Sequence, residues 1–266
     1  MKNQTLLVVC LLFLSVLSVL FLYHFRVEAD PRTQQSIDAT SFSHDLFDQV
    51  LQEQVDEEGR VNYTQLKANP EKLERYLDLL AVANPTELSY NAQLAFWVNA
   101  YNALVIKGVI DHYPTTSVRK VKWFNGFFSR LKFQVAGKTY TLNQIEHGII
   151  RTEFVDPRVH FILVCASTSC PPIENSAFSA EDIEERLETA TFNFVQNPEQ
   201  VRIDRVKRRV YLSKIFKWYD EDFREGYDGV ADFLADYLPP EDADFLLAEG
   251  VKFHYLDYDW SLNDQH

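Results

Sequence analysis

Hydrophobic and polar positions along the chain fall into distinct periods, and each period predicts an element. Phe47, Val50 and Leu51 recur at i, i+3 and i+4, so an amphipathic helix is expected from about residue 43, ending before Gly59. Leu73, Tyr76, Leu79 and Leu80 predict a second helix over 71–81. Residues 89–113 differ in kind, because Leu94, Phe96, Trp97, Val98, Tyr101, Leu104, Val105 and Ile106 leave no polar face. A helix that is apolar all round belongs at the centre of a domain. Asn99, Asn102, Lys107, Asp111 and His112 make this one too polar for a bilayer span, and Pro114 is expected to end it.

Alternation replaces the helical period on either side of Ala136-Gly137, so 132–134 and 139–141 predict a β-hairpin, after which 142–152 returns to helix. Residues 159–165, Val-His-Phe-Ile-Leu-Val-Cys, form a continuous apolar run of strand length, which predicts a strand buried on both faces. Ser179 with Asp182 three residues later has capping-box spacing and opens a helix striped by Ile183, Leu187 and Phe194. A hairpin over 201–212, helices over 229–238 and 241–248, and a last strand over 251–258 complete the pattern. Hairpins and helices mix without a βαβ alternation, so the fold class is α+β. The expected architecture is a central buried helix packed on a mixed, mainly antiparallel sheet with surrounding helices, and a papain-like or transglutaminase-like core is one such arrangement.

The first residues change the picture of where this domain works. Residues 5–23 carry no charge and are rich in Leu, Val, Phe and Ser. At about 1.5 Å per residue they approach the ~30 Å of a bilayer core, longer than the ~7–15 apolar residues of a cleaved signal. An anchor over 1–29 is expected, with a signal peptide cut near Val27-Glu28-Ala29 as the alternative, and Cys10 reads as a lipid-facing residue. Residues 30–42 read as a linker, and 43–266 as a single globular domain held in the periplasm or outside the cell. Roughly 235 residues beyond the anchor are ample for a core. The net charge of −13 would repel a phosphate backbone, so nucleic acid is excluded as a partner. Against this acidic background the stretch 119–132 is basic and aromatic, with Trp123, Phe124, Phe127 and Phe128; it is expected to cover the core, with contact to an anionic membrane as the alternative.

The most chemistry per residue lies in 159–172, which ends Cys165-Ala-Ser-Thr-Ser-Cys170-Pro-Pro. Pro171 at a first helical position would put Cys170 near the N-cap of a helical turn, where thiol pKa values fall. Amides and hydroxyls of Ser167, Thr168 and Ser169 could bind substrate as an oxyanion pocket. Strand alternation would point His160 and Cys165 to opposite faces, leaving His147 or His160 as the base for Cys170 and Glu146 or Asn99 to orient that base. Asn99 and Asn102 share a face of the buried helix and would either brace the 165–170 loop or contact substrate. The blander readings are packing cysteines or a structural disulfide. His160, Cys165 and Cys170 give only three ligands without a recognised spacing, so no metal or cofactor is expected.

Five stretches in order, 95–104, 145–151, 156–173, 212–219 and 258–263, resemble the family called domain of unknown function 547. The resemblance covers most of residues 55–263. It implies an exported bacterial domain, and because eukaryotic members can accompany a glutaredoxin-like module, it adds weight to thiol chemistry. Plant members keep the position of Cys165, often carry Ser in place of Cys170 and lack counterparts of His147 and His160, which implies either that those relatives have lost activity or that Cys165 has the older, structural role. The leading expectation is a hydrolase or acyltransferase acting on a small-molecule or peptide amide or thioester, with Cys170 attacking. Thiol redox exchange through Cys165 and Cys170 and a non-catalytic peptide- or glycan-binding module are the rivals; the four residues between the cysteines do not match a C-x-x-C redox motif.

Overall fold

The computed structural model describes residues 41–122 and 126–265. The expected anchor, Cys10 and nearly all of the expected linker lie outside these residues, as do Trp123 and Phe124. In chain order the helices are α1 (Asp45–Gln54), α2 (Tyr63–Ala68), α3 (Glu71–Val82), α4 (Tyr90–His112), α5 (Gly126–Arg130), α6 (Leu142–Ile145), α7 (Ile183–Gln196), α8 (Ile215–Trp218), α9 (Val230–Ala235) and α10 (Pro240–Leu247). The strands are β1 (Phe133–Val135), β2 (Lys138–Tyr140), β3 (Val201–Asp204), β4 (Arg209–Leu212) and β5 (Lys252–Tyr255). The fold is α+β. The amphipathic helices, both hairpins and the last strand arise where the periodicity puts them. The short α2, α5 and α8 are too brief for a period to register.

Helix α4 is the central element, buried from Leu94 to Ile106 without interruption. Ser89 caps it by accepting from the Ala92 amide. Its neighbours are mainly helices, namely α2, α3, α6 and α7 together with a π-helical segment that follows α6. Strand β2 reaches it through Tyr140, whose ring lies edge-on to Trp97 at 5.8 Å. The sheets sit further out. β1 and β2 form a two-stranded hairpin against α3, and β4 is central in the second sheet, antiparallel to β3 and parallel to β5. Among the described residues no helix is long and apolar enough to cross a membrane. Phe127 and Phe128 of the basic stretch are buried, so that part of it covers the core.

Two apolar clusters are packed side by side. One surrounds α4; the other is largely aromatic and gathers Phe194, Phe216, Phe223 and Phe233 beside Val210 and Leu212 of the second sheet. The segment 157–164 joins them, with Phe161 in the aromatic cluster, its ring 4.8 Å from that of Phe194, and Ile162, Leu163 and Val164 in the first.

That segment corrects the expected strand over 159–165. Asp156 caps a 3-10 turn over Pro157–Phe161 by accepting from the Arg158 amide, and the chain then runs as an irregular buried loop. The apolar run is buried as predicted, but its backbone is satisfied by turns back to Val159, by Cys170 and by a side chain on α4 rather than by neighbouring strands. The argument from strand alternation, which set His160 and Cys165 apart, therefore lapses. A second departure is the helix over 142–152, which is α-helical only through Ile145 and π-helical over Glu146–Phe154. Such wider turns are rare and recur at functional sites.

Candidate functional site

The loop carrying both cysteines is held by α4. Asn102 donates from Nδ2 to the Ile162 carbonyl and accepts at Oδ1 from the Val164 amide, both at 3.0 Å. One turn earlier, Asn99 grips the Phe178 carbonyl and amide in the same way at 2.8 and 3.0 Å. Both side chains are buried, and both brace backbone. Past Cys165 the buried Ala166 sits at φ +58°, an uncommon conformation for a residue with a Cβ and one that collects at functional sites.

The end of the chain clamps the rest of the loop. The Thr168 amide donates to the Ser261 carbonyl, the Ser169 amide to the Asp259 carbonyl, and the Asp259 amide to Ser169 Oγ at 2.8 Å. The amides of Thr168 and Ser169 are thereby already paired with backbone carbonyls. Gly59 backs the loop at φ +74°, where a Cβ would lie 2.4 Å from Pro172 Cβ, so only glycine permits this approach. Residues 171–174 form no helix, because Pro172 pushes Pro171 out of the helical region. Cys170 accordingly has no helix N-terminus.

The two sulfurs are unequal. Cys165 is half-buried and Cys170 is 9% exposed; both are free thiols. The Cys165 amide donates to Cys170 Sγ at 2.9 Å, while Cys170 Sγ lies 3.8 Å from the Leu163 carbonyl. Cys165 Sγ has Ser167 Oγ at 2.9 Å and the Tyr258 hydroxyl at 3.2 Å. Burial alone would raise the Cys165 pKa, but hydrogen bonds from the Cys170 thiol, Ser167 and Tyr258 outweigh it and bring the pKa below its ordinary value. Burial and the neighbouring sulfur push Cys170 the other way, well up. These opposite directions favour Cys165 over Cys170 as the sulfur that ionises. Ser167 and Tyr258, the latter from the motif at 258–263, both lie beside that sulfur.

A second group of side chains is centred on His160, which lines the same cavity as the two sulfurs. His160 is buried, with Nε2 2.6 Å from Asp222 Oδ2 and its ring stacked on Tyr219 at 3.7 Å. Asp222 also takes Arg151 Nε at 2.6 Å and a second bond from the same guanidinium. Burial tends to raise the Asp222 pKa, but the bonds from His160 and Arg151 prevail and hold it far below the carboxylate range. A permanently ionised carboxylate can only accept, so the proton of the neutral imidazole is on Nε2 and Nδ1 is the basic nitrogen. Burial keeps His160 below its ordinary pKa despite Asp222.

The π-helical segment supplies the other charges. Glu146 is buried and accepts from Tyr101 at 2.9 Å and from Tyr219. Glu146 does not touch His160 directly; Tyr219 stands between them, and the carboxylate hydrogen-bonded to His160 is Asp222. His147 is exposed, with Nδ1 2.6 Å from Arg151 Nη1. Within a π-helix residues five apart share a face, which lets Glu146 and Arg151 serve one cluster.

A cavity of about 820 Å³ joins these parts, lined by Cys165, Cys170, His160, His147 and Glu146 together with Tyr219 and Tyr258. All five titratable groups singled out from sequence line it, whereas Asn99, Asn102, Ser167 and Ser169 do not. Asp222, Tyr219, Tyr258 and Arg151 had no assigned role. The last three lie within the quoted motifs; Asp222 lies in none, and nothing local in the sequence marks it.

With this geometry in view, comparison with known proteins adds one finding. Residues 85–195 match the model of the family described as a protein of unknown function, DUF547. This segment belongs to that family. No curated protein and no solved structure matches the chain. The DUF547 segment supplies α4, Glu146, His147, His160 and both cysteines, while Tyr219, Asp222 and Tyr258 come from beyond it.

Proposed function

We propose that this is a thiol-dependent hydrolase or acyltransferase acting outside the cytoplasm on an amide or thioester, with Cys165 as nucleophile and His160 as base. The observation that carries the reading is Cys165 Sγ, half-buried and surrounded by hydroxyl donors, sharing a cavity with an imidazole whose proton is fixed on Nε2 by Asp222.

The chemistry follows from those roles. His160 Nδ1 takes the thiol proton as Cys165 Sγ bonds to the carbonyl carbon, and the C=O π pair moves onto oxygen. Collapse of that intermediate breaks the bond to the amine or thiol leaving group, which receives the proton from His160. Water hydrolyses the resulting thioester, or an acceptor amine or alcohol takes the acyl group. The papain-like and transglutaminase-like likeness extends to this logic and not to a matched fold.

The test is a trapped acyl-enzyme. Incubating the full chain with p-nitrophenyl acetate and mapping the acetyl group by mass spectrometry is expected to find it on Cys165. His160→Ala is expected to slow its formation by about 10²-fold or more. Acetylation spread over surface lysines, with none on Cys165, would overturn the reading.

Thiol redox exchange remains a second reading, supported by two free thiols on one cavity wall, with the Cys165 amide donating to Cys170 Sγ at 2.9 Å. In it, Cys165 attacks a substrate disulfide and Cys170 resolves the mixed disulfide, so the pair gives two electrons and two protons. Turnover of a disulfide substrate that requires Cys170 as strictly as Cys165 would favour it over acyl transfer.

A further inference from the structure

The mouth of the same cavity carries an arrangement that acyl transfer alone does not need. Three cations, Arg119, Lys214 and Lys217, line the cavity against one carboxylate, Glu146, which already accepts two phenol hydroxyls. This happens in a chain whose net charge is −13. Among the described residues neither Arg119 nor Lys217 has a carboxylate partner; Arg119 lies over Trp260 at 5.5 Å and Lys217 over Tyr255 at 5.4 Å. Lys214 is 3.7 Å from Asp257, a fully exposed carboxylate whose hold is weak in water. Beside these cations Trp218, Tyr258 and Trp260 form an aromatic wall with ring centroids 4.7–5.6 Å apart. Trp218 is 45% exposed, a large apolar surface left open at a cavity mouth.

Resting on the thiol reading, we infer that the cavity selects acyl substrates that carry a carboxylate next to a flat or apolar group. The cations would attract and seat the carboxylate, with the Arg119 fork suited to its two oxygens, and the indole and phenol faces would cover the flat part. Glu146, already tied to Tyr101 and Tyr219, is the one lining carboxylate set against these three cations.

Two alkylating reagents of similar size and opposite charge state test this on the full chain. Iodoacetate is a carboxylate and iodoacetamide is neutral; each forms an S–C bond at the thiolate and expels iodide. The ratio of their rates at Cys165, mapped by mass spectrometry, is expected to exceed that for N-acetylcysteine by several-fold in low salt. About 1 M salt should pull the ratio back toward the free-thiol value, as should Arg119→Ala with Lys217→Ala. Benzoate should protect Cys165 from iodoacetamide, and Trp218→Ala should weaken that protection. Rapid iodoacetamide labelling of Cys165 without any preference for iodoacetate would overturn the substrate inference and leave the nucleophile standing. Protection by inorganic phosphate but not by benzoate would also overturn it. Failure of both reagents to label Cys165 would remove the inference together with the reading beneath it.

Discussion

At the scale of single residues the site depends on two sulfurs five positions apart being pulled in opposite directions. Cys170 accepts the Cys165 amide at its sulfur, so it acts as a positioning group for its neighbour. Cys170→Ala is expected to raise the alkylation midpoint of Cys165 and to cost about 1–3 kcal/mol, since a buried amide loses its acceptor. Titration of Cys165 labelling and urea denaturation of the same variant check both halves. Asp222→Asn keeps an oxygen for His160 but no charge for Arg151. A stability loss of about 1–3 kcal/mol is expected, because a partly buried ion pair is broken and leaves its arginine behind, along with slower acylation of Cys165. Urea midpoints of Asp222→Asn and of Arg151→Ala, alone and combined, would report the coupling; full additivity would contradict it.

At the scale of elements, α4 does the positioning. Its apolar sequence makes it central, and the two amides that interrupt the apolar surface are the ones that hold loops. Asn102→Ala would strand the Ile162 carbonyl and the Val164 amide in the core, so a loss of about 2–5 kcal/mol is expected in urea denaturation. A loss under ~1 kcal/mol would mean that the loop finds other partners. Helix α4 and the hairpins were legible because their periods are long and clean. The cysteine loop was not, since a continuous apolar run marks burial without saying what satisfies its backbone, and only the fold brings Asn102 to it. The π-helical turn also escaped, because its apolar spacing is close to that of an ordinary helix. In the site, His160, His147, Glu146 and both cysteines could be picked out by their chemistry, whereas Asp222 is an acidic residue among many and becomes identifiable only beside His160.

For the molecule as a whole, buried titratable groups set the response to acid. His44, hydrogen-bonded to Tyr76 at 2.7 Å, is held down to about 4 by burial, and His160 is lowered for the same reason. Both are neutral in the fold and charge in the unfolded chain below pH ~6.5, so the unfolded state binds more protons. Their contribution is complete above that pH and is lost as pH falls, about 2 kcal/mol for His44 between pH ~6.5 and 4 after allowance for its partial exposure. Asp222, with its depressed pKa, adds a contribution present above its unfolded value near ~3.9 and lost on further acidification. Thermal melts should therefore fall steadily from neutral pH toward pH 4, and His44→Gln should flatten that decline; a flat profile in the native chain would contradict the burial of these imidazoles. The same architecture joins chain segments far apart, with the last residues, 258–265, closing over the loop from 166 to 170.

The most direct test of the account is the rate of iodoacetamide labelling at each cysteine of the full chain as a function of pH. Cys165 is expected to react with a midpoint clearly below the ~8.5 of an ordinary thiol, while Cys170 stays nearly inert across the range. Rapid reaction at Cys170, or a midpoint for Cys165 at or above that of a free thiol, would contradict it.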